Sequence, residues 1–513
     1  MMPTSHKLLL PALLLFPLLS MAQKWDYQWP MGYWYGSVGG LPDIALLDFT
    51  GDTVALYGHA YSDHLGFGSS ASAICDGEGQ LALTTNNCGV FDQDFLLVPG
   101  SDTLTPGWGF DNYCDVQSQS VDGYIGKQIT LFLPEMGNDS VVYLAHKDNI
   151  LVDSFPVLDV LSTKLYLSTL VRKPDGSHYL KEKRKLAQGF YNFGRLTACL
   201  HADGERWWVN MVEHNSNRFD WFLVGGQDTV QGPFVQEIGS PLLNQDIDIG
   251  QVAFSPDASM LAFNSGHSEK IYLYGFDNAT GQLSDPQEVS YPVVQGEHGL
   301  GIAFSFDSRF VYTTTNTDLY QIDLQDGNSV EHIAHHASLD EDHWPVVMGN
   351  LYLGPDCRMY VSPGSTTYYL HVVHHPNEKG AACGFEARAL RSPSNINVDL
   401  PNLPMYRFGG ACDSTIAFPY RDTVSTSVEL LVDGNVEVFP NPMVDYFTVS
   451  FTGQVPLHAR LLLFDGLGRP QDERPLPAIN NVFGAEGLAP GIYFYRIMDG
   501  ERLLQAGKLV KVG

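Results

Sequence analysis

Four segments of the chain repeat one pattern: a short apolar strand, a tight polar turn and a second apolar strand. The segments are ACLHADGERWWV from Ala198, VAFSPDASMLAF from Val252, IAFSFDSRFVYT from Ile302 and LYLGPDCRMYVS from Leu351. Their turn aspartates are Asp203, Asp257, Asp307 and Asp356. These aspartates recur roughly every fifty residues, and a period near fifty made of β-hairpins is typical of propeller blades with four strands each.

One copy shows how the pattern folds. Residues 252–255 and 260–264 are apolar strands, and Pro256 with Asp257 sets the turn between them, since proline fixes φ and aspartate caps its own turn. One sheet cannot bury both its faces alone, so several must stack around an axis. The repeat is fainter before residue 196, but strand and turn signals continue there. At roughly 50 to 55 residues per blade, we expect about seven blades, with six or eight also possible.

The start of the chain has the pattern of a secretory signal. His6 and Lys7 precede an apolar run over residues 8–19, and small residues follow at 20–22. A membrane-spanning helix needs roughly 20 apolar residues, which neither this run nor any later one reaches. We therefore predict a signal peptide over residues 1–22 and no transmembrane segment.

The net charge of the chain limits the kinds of molecule that it can bind. The chain of 513 residues has 29 basic and 58 acidic residues, a formal charge of -29. Such a charge repels phosphate backbones, so we expect no nucleic-acid partner. Aromatic residues make up 12% and charged residues only 17%, which favours an all-β fold.

Seven cysteines in an exported chain allow up to three disulfides with one thiol left over. Cys75 with Cys88, and Cys357 with Cys383, are plausible local pairs because each flanks a predicted turn. There is no Cys-x-x-Cys motif, so the spacing favours structural cysteines over a metal site.

Past residue 420 the composition of the sequence changes. A Thr/Ser-rich stretch predicts a linker over residues 421–430, between a propeller over 23–420 and a second domain over 431–513. That domain has four segments with strand and turn signals: VEVFPNPMVDYFTVSF, LLLFDGLGR, LAPGIYFYRI and GKLVKV.

These four segments, in this order, resemble the type A C-terminal sorting domain of type IX secretion. The resemblance implies a small Ig-like β-sandwich that is not catalytic and directs the protein through the outer membrane. It also implies the type IX machinery as partner, and a product that is extracellular or attached to the outer cell surface. The sequence departs from the family pattern at Pro470 and over 475–481. The positions that match the family motif are Pro440, Asn441, Pro442, Gly468, Pro490, Gly491 and Lys508.

Candidate chemistry is confined to a histidine-rich region. No Gly-x-Ser-x-Gly elbow, His-Glu-x-x-His motif or phosphate-binding loop occurs, so we expect no cofactor. Imidazole and carboxylate groups together could hold a divalent metal at an axial end of the propeller, with His335, His336 and His343 as the candidates. A polar inter-strand loop explains the same residues without a metal. The region also contains His332, Asp340, Glu341, Asp342, His371, His374 and His375.

Three functions fit this sequence. The first is a non-enzymatic propeller that binds a surface glycan or a protein at its loops, which is the common use of such a scaffold. The second is a hydrolase or lactonase-like enzyme with an axial metal site. The third is a structural component of the cell surface. Histidine and aspartate side chains that converge at the axis would favour the enzyme, whereas an unconverged polar axis would favour binding.

Overall fold

The computed structural model describes most of the chain between residues 24 and 512. The described ranges are 24–32, 44–59, 65–114, 123–154, 157–226, 230–242, 250–266, 269–294, 297–340, 343–396, 399–419, 436–451, 455–456, 459–465, 469–485, 487–499 and 502–512. The predicted signal peptide and the predicted linker lie outside them. The chain divides into two compact units, residues 1–419 and 420–513.

The described part of the first unit contains seven antiparallel sheets of three or more strands, one after another along the chain, and each is one blade. In six of them successive strands pair as a meander, whereas in the third β8 pairs with β10 and β9 pairs with another part of β10. Blade one contains β1 (Gln28–Met31), β2 (Ile44–Asp48) and β3 (Ala55–His59). Blade two contains β4 (Ser72–Cys75), β5 (Leu81–Thr85) and β6 (Val90–Asp92), and the helix α1 (Trp108–Tyr113) follows it. Blade three contains β7 (Thr130–Pro134), β8 (Val141–Lys147), β9 (Ile150–Ser154), β10 (Val157–Arg172) and β11 (His178–Tyr191).

Blades four to seven each have four strands, and a two-stranded hairpin separates the sixth from the seventh. Short 3-10 helices at Gly380–Cys383 and Phe408–Gly410 complete this part of the chain. The strands are β12 (Ala198–Leu200), β13 (Arg206–Val212), β14 (Ser216–Gly225) and β15 (Val230–Leu242); β16 (Val252–Phe254), β17 (Met260–Ser265), β18 (Lys270–Asp277) and β19 (Gln282–Ser290); β20 (Ile302–Phe304), β21 (Phe310–Thr314), β22 (Asp318–Asp323) and β23 (Ser329–His335); the hairpin β24 (Ser338–Leu339) and β25 (Pro345–Val346); and β26 (Leu351–Leu353), β27 (Met359–Val361), β28 (Thr367–Val373) and β29 (Phe385–Ile396).

The seven blades close into a ring. Strand β29 of blade seven lies against β3 of blade one. Trp29 and Phe49 of blade one pack on Tyr360 of blade seven, with ring centroids 5.4 and 5.5 Å apart. All three side chains are fully buried, so burial of aromatic surface stabilises this closure. The propeller predicted from the fifty-residue repeat is confirmed.

The second unit is a β-sandwich. Its two sheets have the strand orders β30-β31-β34 and β33-β32-β35-β36. Phe447 and Val449 of one sheet and Leu461 and Ile497 of the other share one buried core, as expected when strands alternate inward and outward positions. The Ig-like prediction is confirmed. The strands are β30 (Val436–Phe439), β31 (Tyr446–Phe451), β32 (Ala459–Asp465), β33 (Pro470–Pro475), β34 (Asn480–Gly484), β35 (Gly491–Asp499) and β36 (Arg502–Lys511).

In the described parts of the chain, no helix has the length and apolar character that crossing a membrane requires.

Candidate functional site

The axis of the propeller is occupied by the chain's own residues 399–419, which we call the strap. Asn402 reaches blades two, three and four, because its backbone N–H donates to Ala71 O at 2.7 Å and its Nδ2 donates to Thr130 O and Leu196 O. Further along, the Met405 N–H donates to Ala198 O, and the Tyr406 hydroxyl donates to Phe132 O on β7. The strap therefore runs between the innermost strands.

The end of the strap then contacts the remaining blades. The Gly409 N–H donates to Pro256 O of blade five, and the Asp413 N–H donates to Pro355 O of blade seven. Next to Gly409, any side chain on Gly410 would collide with the backbone of Phe306 in blade six. Ala417 exchanges two backbone hydrogen bonds with residues 52 and 54 of blade one. One segment thus fixes all seven blades.

Two side-chain amides join different blades to one another through hydrogen bonds near the axis. Gln128, before blade three, accepts from Val252 N and donates to Val252 O of blade five at 2.9 and 3.0 Å. Gln251, before blade five, accepts from Ile302 N and Leu351 N of the two following blades. Both side chains are at least 96% buried, so each of these hydrogen bonds is shielded from water.

A buried ion pair anchors the middle of the strap. Arg407 donates to both carboxylate oxygens of Asp26, with Nε 3.0 Å from Oδ2, and also to Ala411 O. Both side chains are 3% exposed. Burial lowers the pKa of Arg407 to about 9, because the charged guanidinium has lost its hydration.

A small cavity lies between the strap and the inner strands. It has a volume of about 60 Å³, and its walls include Gln251, Phe304, Leu353 and Tyr406. Ligand sites for small molecules typically enclose roughly 300 to 1,000 Å³. This cavity is smaller than that range and has room for a few water molecules.

The disulfides correct the predicted local pairs. Cys88 bonds to Cys114 and Cys357 bonds to Cys412, not Cys75 to Cys88 or Cys357 to Cys383. The strap brings Cys412 beside the first turn of blade seven, and α1 brings Cys114 to the loop after β5. The buried thiols Cys75, Cys199 and Cys383 are free.

The end of the propeller that carries the turns between the first and second strands of the blades is called here the turn face. The four repeat aspartates lie in these turns and cap them: Asp257 Oδ1 accepts from Ser255 Oγ at 2.6 Å, and Asp307 Oδ1 accepts from Ser305 Oγ at 2.5 Å. Asp203 accepts from the backbone of residues 205 and 206, and Asp356 from the Tyr360 hydroxyl. Their contacts are those of structural caps.

Two grooves of the turn face are lined by described residues. The blade 6–7 groove has a volume of about 510 Å³, and its walls include Asp307, Arg358, His375, Glu378 and the Cys357–Cys412 disulfide. The blade 2–3 groove has a volume of about 630 Å³ and is lined by the turns of those two blades. Both volumes are in the usual range for ligand sites.

The histidines predicted as metal candidates lie at the end of β23, directly after it, and in the loop of the β24–β25 hairpin. His335 belongs to the outermost strand of blade six, where its Nδ1 is 3.1 Å from Asp318 Oδ1. His336 Nε2 is 2.9 Å from Ser338 Oγ, and His343 occupies a left-handed turn position with φ of 67°. Within the described residues, no group of three or more His, Cys, Asp or Glu side chains is arranged to hold a metal ion.

The carboxylate of Asp318 is the centre of this histidine region. Its Oδ1 also lies 2.7 Å from His332 Nε2, and its Oδ2 accepts from Thr317. Burial alone would raise the pKa of Asp318, but these hydrogen bonds and that of His335 outweigh burial and hold the pKa below its usual value. His371 is buried and its Nε2 faces Val347 O; burial lowers the pKa of His371 to about 3. These contacts are structural.

The sequence carries a local signal for the amides that join the blades at the axis. A glycine stands just before several inner strands, followed by an amide residue: Gly126 with Gln128, Gly250 with Gln251, and Gly349 with Asn350. A side chain at Gly250 would collide with the Asn264 carbonyl oxygen, so glycine is required where the loops crowd the axis.

In the second unit, the Pro-Asn-Pro turn holds the last strand. Pro440 and Pro442 flank Asn441, whose Nδ2 donates to Lys508 O at 2.6 Å and whose Oδ1 accepts from Val510 N at 2.9 Å. At the other predicted turn, the hydroxyl of Tyr493 donates to Ala489 O beside Pro490 and Gly491. Gly468 lies outside the described residues.

Comparison with known proteins identifies the C-terminal segment. Residues 437–511 match the family described as "Secretion system C-terminal sorting domain". No curated protein matches the chain in sequence.

Several solved structures resemble the first unit at low identity. A putative 6-phosphogluconolactonase from Bacteroides fragilis is 10% identical, with 74% of this chain and 99% of that chain covered and a TM-score of 0.41. A periplasmic gluconolactonase from Pseudomonas aeruginosa is 11% identical, with 73% and 98% covered and a TM-score of 0.41. The β-propeller domain of Myceliophteria thermophila Cps50 (Swd1) is 12% identical, with 65% and 93% covered and a TM-score of 0.36.

At these scores the similar structures transfer no activity, and the propeller assignment rests on the chain's own seven sheets. The matched family supplies the identity of the second unit. That unit is a type IX secretion C-terminal sorting domain, and it directs the propeller to the cell surface or the extracellular space.

Proposed function

We propose that this exported propeller is a non-enzymatic scaffold that binds a glycan or a protein at its turn face. The observation that carries the proposal is the strap, which packs between the inner strands and, among the described residues, borders a cavity of only about 60 Å³. The two larger grooves lie instead at the turn face. Ligand-binding residues commonly lie on exposed loops that a rigid scaffold holds in place.

The geometry of the turn face favours tight positioning of a ligand. Asp307 N donates to Asn377 Oδ1 of the neighbouring blade, and Asp257 N donates to Ser308 Oγ. Neighbouring turns are thus joined to each other as well as to the strap. A preorganised surface loses little conformational entropy when it binds, which increases affinity.

The proposal is tested by two measurements on the purified full chain. The first is a glycan array together with binding assays against outer-surface proteins, and the second is hydrolysis of gluconolactone with and without added Zn²⁺ or Ca²⁺. We expect saturable binding that weakens in the variant His375→Ala/Glu378→Ala of the blade 6–7 groove or in a variant of the blade 2–3 groove. Lactone hydrolysis that requires a metal, without any saturable binding, would refute the scaffold.

The metal-dependent alternative keeps His335, His336 and His343 as its candidates. The metal content of the dialysed protein, measured by mass spectrometry, separates the two proposals. Near-stoichiometric metal that is lost in His335→Ala/His336→Ala would favour the enzyme. The matched control is His201→Ala, because His201 lies at the turn of blade four with its Nε2 3.0 Å from Ala279 O.

A further inference from the structure

The blade 2–3 groove differs from the blade 6–7 groove in its charge. Six carboxylates line it and only one arginine, Arg172, whereas the blade 6–7 groove also has an arginine and two histidines against three carboxylates. The carboxylates of the blade 2–3 groove come from three turns and the end of one strand. They are Asp76 and Glu78, Asp92, Glu135 and Asp139, and Asp175.

Part of this negative charge is held in place and part faces solvent. Asp76, Asp92 and Asp175 each use Oδ1 to cap their own turns, for example by accepting from Glu78 N at 2.9 Å and Gln80 N at 3.0 Å. Glu78 and Asp139 are exposed, and no side-chain hydrogen bond or ion pair holds either of them within the described residues. The turns therefore present carboxylate oxygens that a ligand can reach.

His178 provides an observation independent of the charge. It lines the same groove, is 7% exposed, and its Nδ1 has no hydrogen-bond partner among the described residues. Burial lowers the pKa of His178, with Arg172 acting in the same direction, so the ring stays neutral at pH 7. A buried polar atom without a partner is costly in a folded protein, and a small movement of the ring towards a hydrogen-bonding group of a ligand would remove that cost.

We propose that the blade 2–3 groove binds a basic peptide segment of a partner protein, one that carries arginine or lysine side chains. This deepens the proposed binding function and rests on it. The groove offers acceptors in excess: carboxylates for guanidinium or ammonium groups and an imidazole nitrogen for an N–H donor. Its volume of about 630 Å³ is that of a ligand site.

Two other ligand classes fit the groove less well. Among the described residues, no three carboxylates of the groove are arranged to hold a metal ion. This arrangement favours the cationic side chains of a peptide over a metal ion as the ligand. Sugar rings usually stack on open aromatic faces. Trp25, the one aromatic residue of the lining, is only 8% exposed and offers no such face.

The test measures fluorescence anisotropy of a labelled peptide of alternating arginine and glycine, titrated with the full chain. The same peptide with glutamate in place of arginine is the reference. The test variant is Glu78→Gln/Asp139→Asn, which removes two exposed charges without disturbing a turn cap. The matched control, Glu237→Gln/Glu331→Gln, removes two exposed charges from the outer strands of blades four and six.

We expect the arginine peptide to bind and the glutamate peptide not to bind. The test variant should weaken binding about tenfold, since two ion pairs are lost, and the control should leave it within about twofold. Equal weakening in test and control variants, or absence of arginine-peptide binding, would refute the proposal. Preference for a glucosamine oligomer over the peptide would refute it as well. A glycan-array signal that persists without peptide binding would leave the scaffold function standing and refute only the basic peptide.

Discussion

The ion pair between Asp26 and Arg407 allows the role of the strap to be measured. Breaking a fully buried pair by removing one partner costs about 3–5 kcal/mol, because the remaining charge is left without compensation. Both side chains are 97% buried, so this range applies to Asp26→Leu and to Arg407→Met. Arg407→Met also loses the hydrogen bond to Ala411 O, about 1 kcal/mol more.

The double variant distinguishes an ion pair from two independent contacts. With both charges replaced by apolar side chains, no charge is stranded, so we expect its loss of stability to be well below the sum of the two single losses. The matched control is the solvent-accessible pair Lys270 and Glu288, at 2.8 Å, where Lys270→Met should leave the free energy of unfolding nearly unchanged.

Urea unfolding of the full chain, followed by tryptophan fluorescence, provides the measurement. All eight tryptophans precede residue 345, so the signal reports the propeller unit alone. Trp25 also packs 5.5 Å from Tyr406 of the strap, which makes it sensitive to strap release. Single variants that each cost less than about 1 kcal/mol, or a double variant whose loss equals the sum, would refute a buried ion pair between the strap and Asp26.

Three further predictions concern the same unit. Cys412→Ser opens the bridge to Cys357, which spans 55 residues, and should lower the free energy of unfolding by about 4 kcal/mol in urea titrations under oxidising conditions. Asn402→Ala leaves two buried carbonyl oxygens, Thr130 O and Leu196 O, without their side-chain donor and should cost about 2–3 kcal/mol in the same assay; a loss below about 0.5 kcal/mol would contradict this role of Asn402. His146 is buried, and burial lowers its pKa from 6.5 to about 3, so the unfolded chain takes up the proton first. Its contribution is complete above pH 6.5 and is lost at about 1.4 kcal/mol per pH unit as the pH falls towards 3, and the urea midpoint of His146→Gln should fall less steeply between pH 6.5 and 4.5 than that of the wild type.

The repeat and the sandwich were predictable because their signals are local. A hairpin needs only apolar residues on both sides of a turn such as Pro256-Asp257, and its period reveals the blade. The Pro-Asn-Pro turn at 440–442 is equally local, since residues 436–439 and 446–451 pair directly. The residues that make these contacts are close together in the sequence, so a short sequence pattern is enough to predict them.

The strap was not predictable because its contacts are distant in sequence. Arg407 and Asp26 are separated by 381 residues, and Asn402 reaches Ala71 across 331. Residues 399–419 have no period of two or 3.6, since none of them belongs to a named strand. The cysteine pairing failed for the same reason, because only the strap brings Cys412 to Cys357.

The strap also determines where recognition can take place. Its residues 409–417 leave the axis and join the turns of blades five, six, seven and one, so they form part of the turn face itself. The same segment that packs between the inner strands therefore also fixes the loops that border the blade 6–7 groove. Rigid loops around an open groove favour binding of a partner, because they lose little conformational entropy on association. A variant that releases the strap should therefore weaken ligand binding at the blade 6–7 groove before it unfolds the blades, and binding that survives strap release would contradict this link.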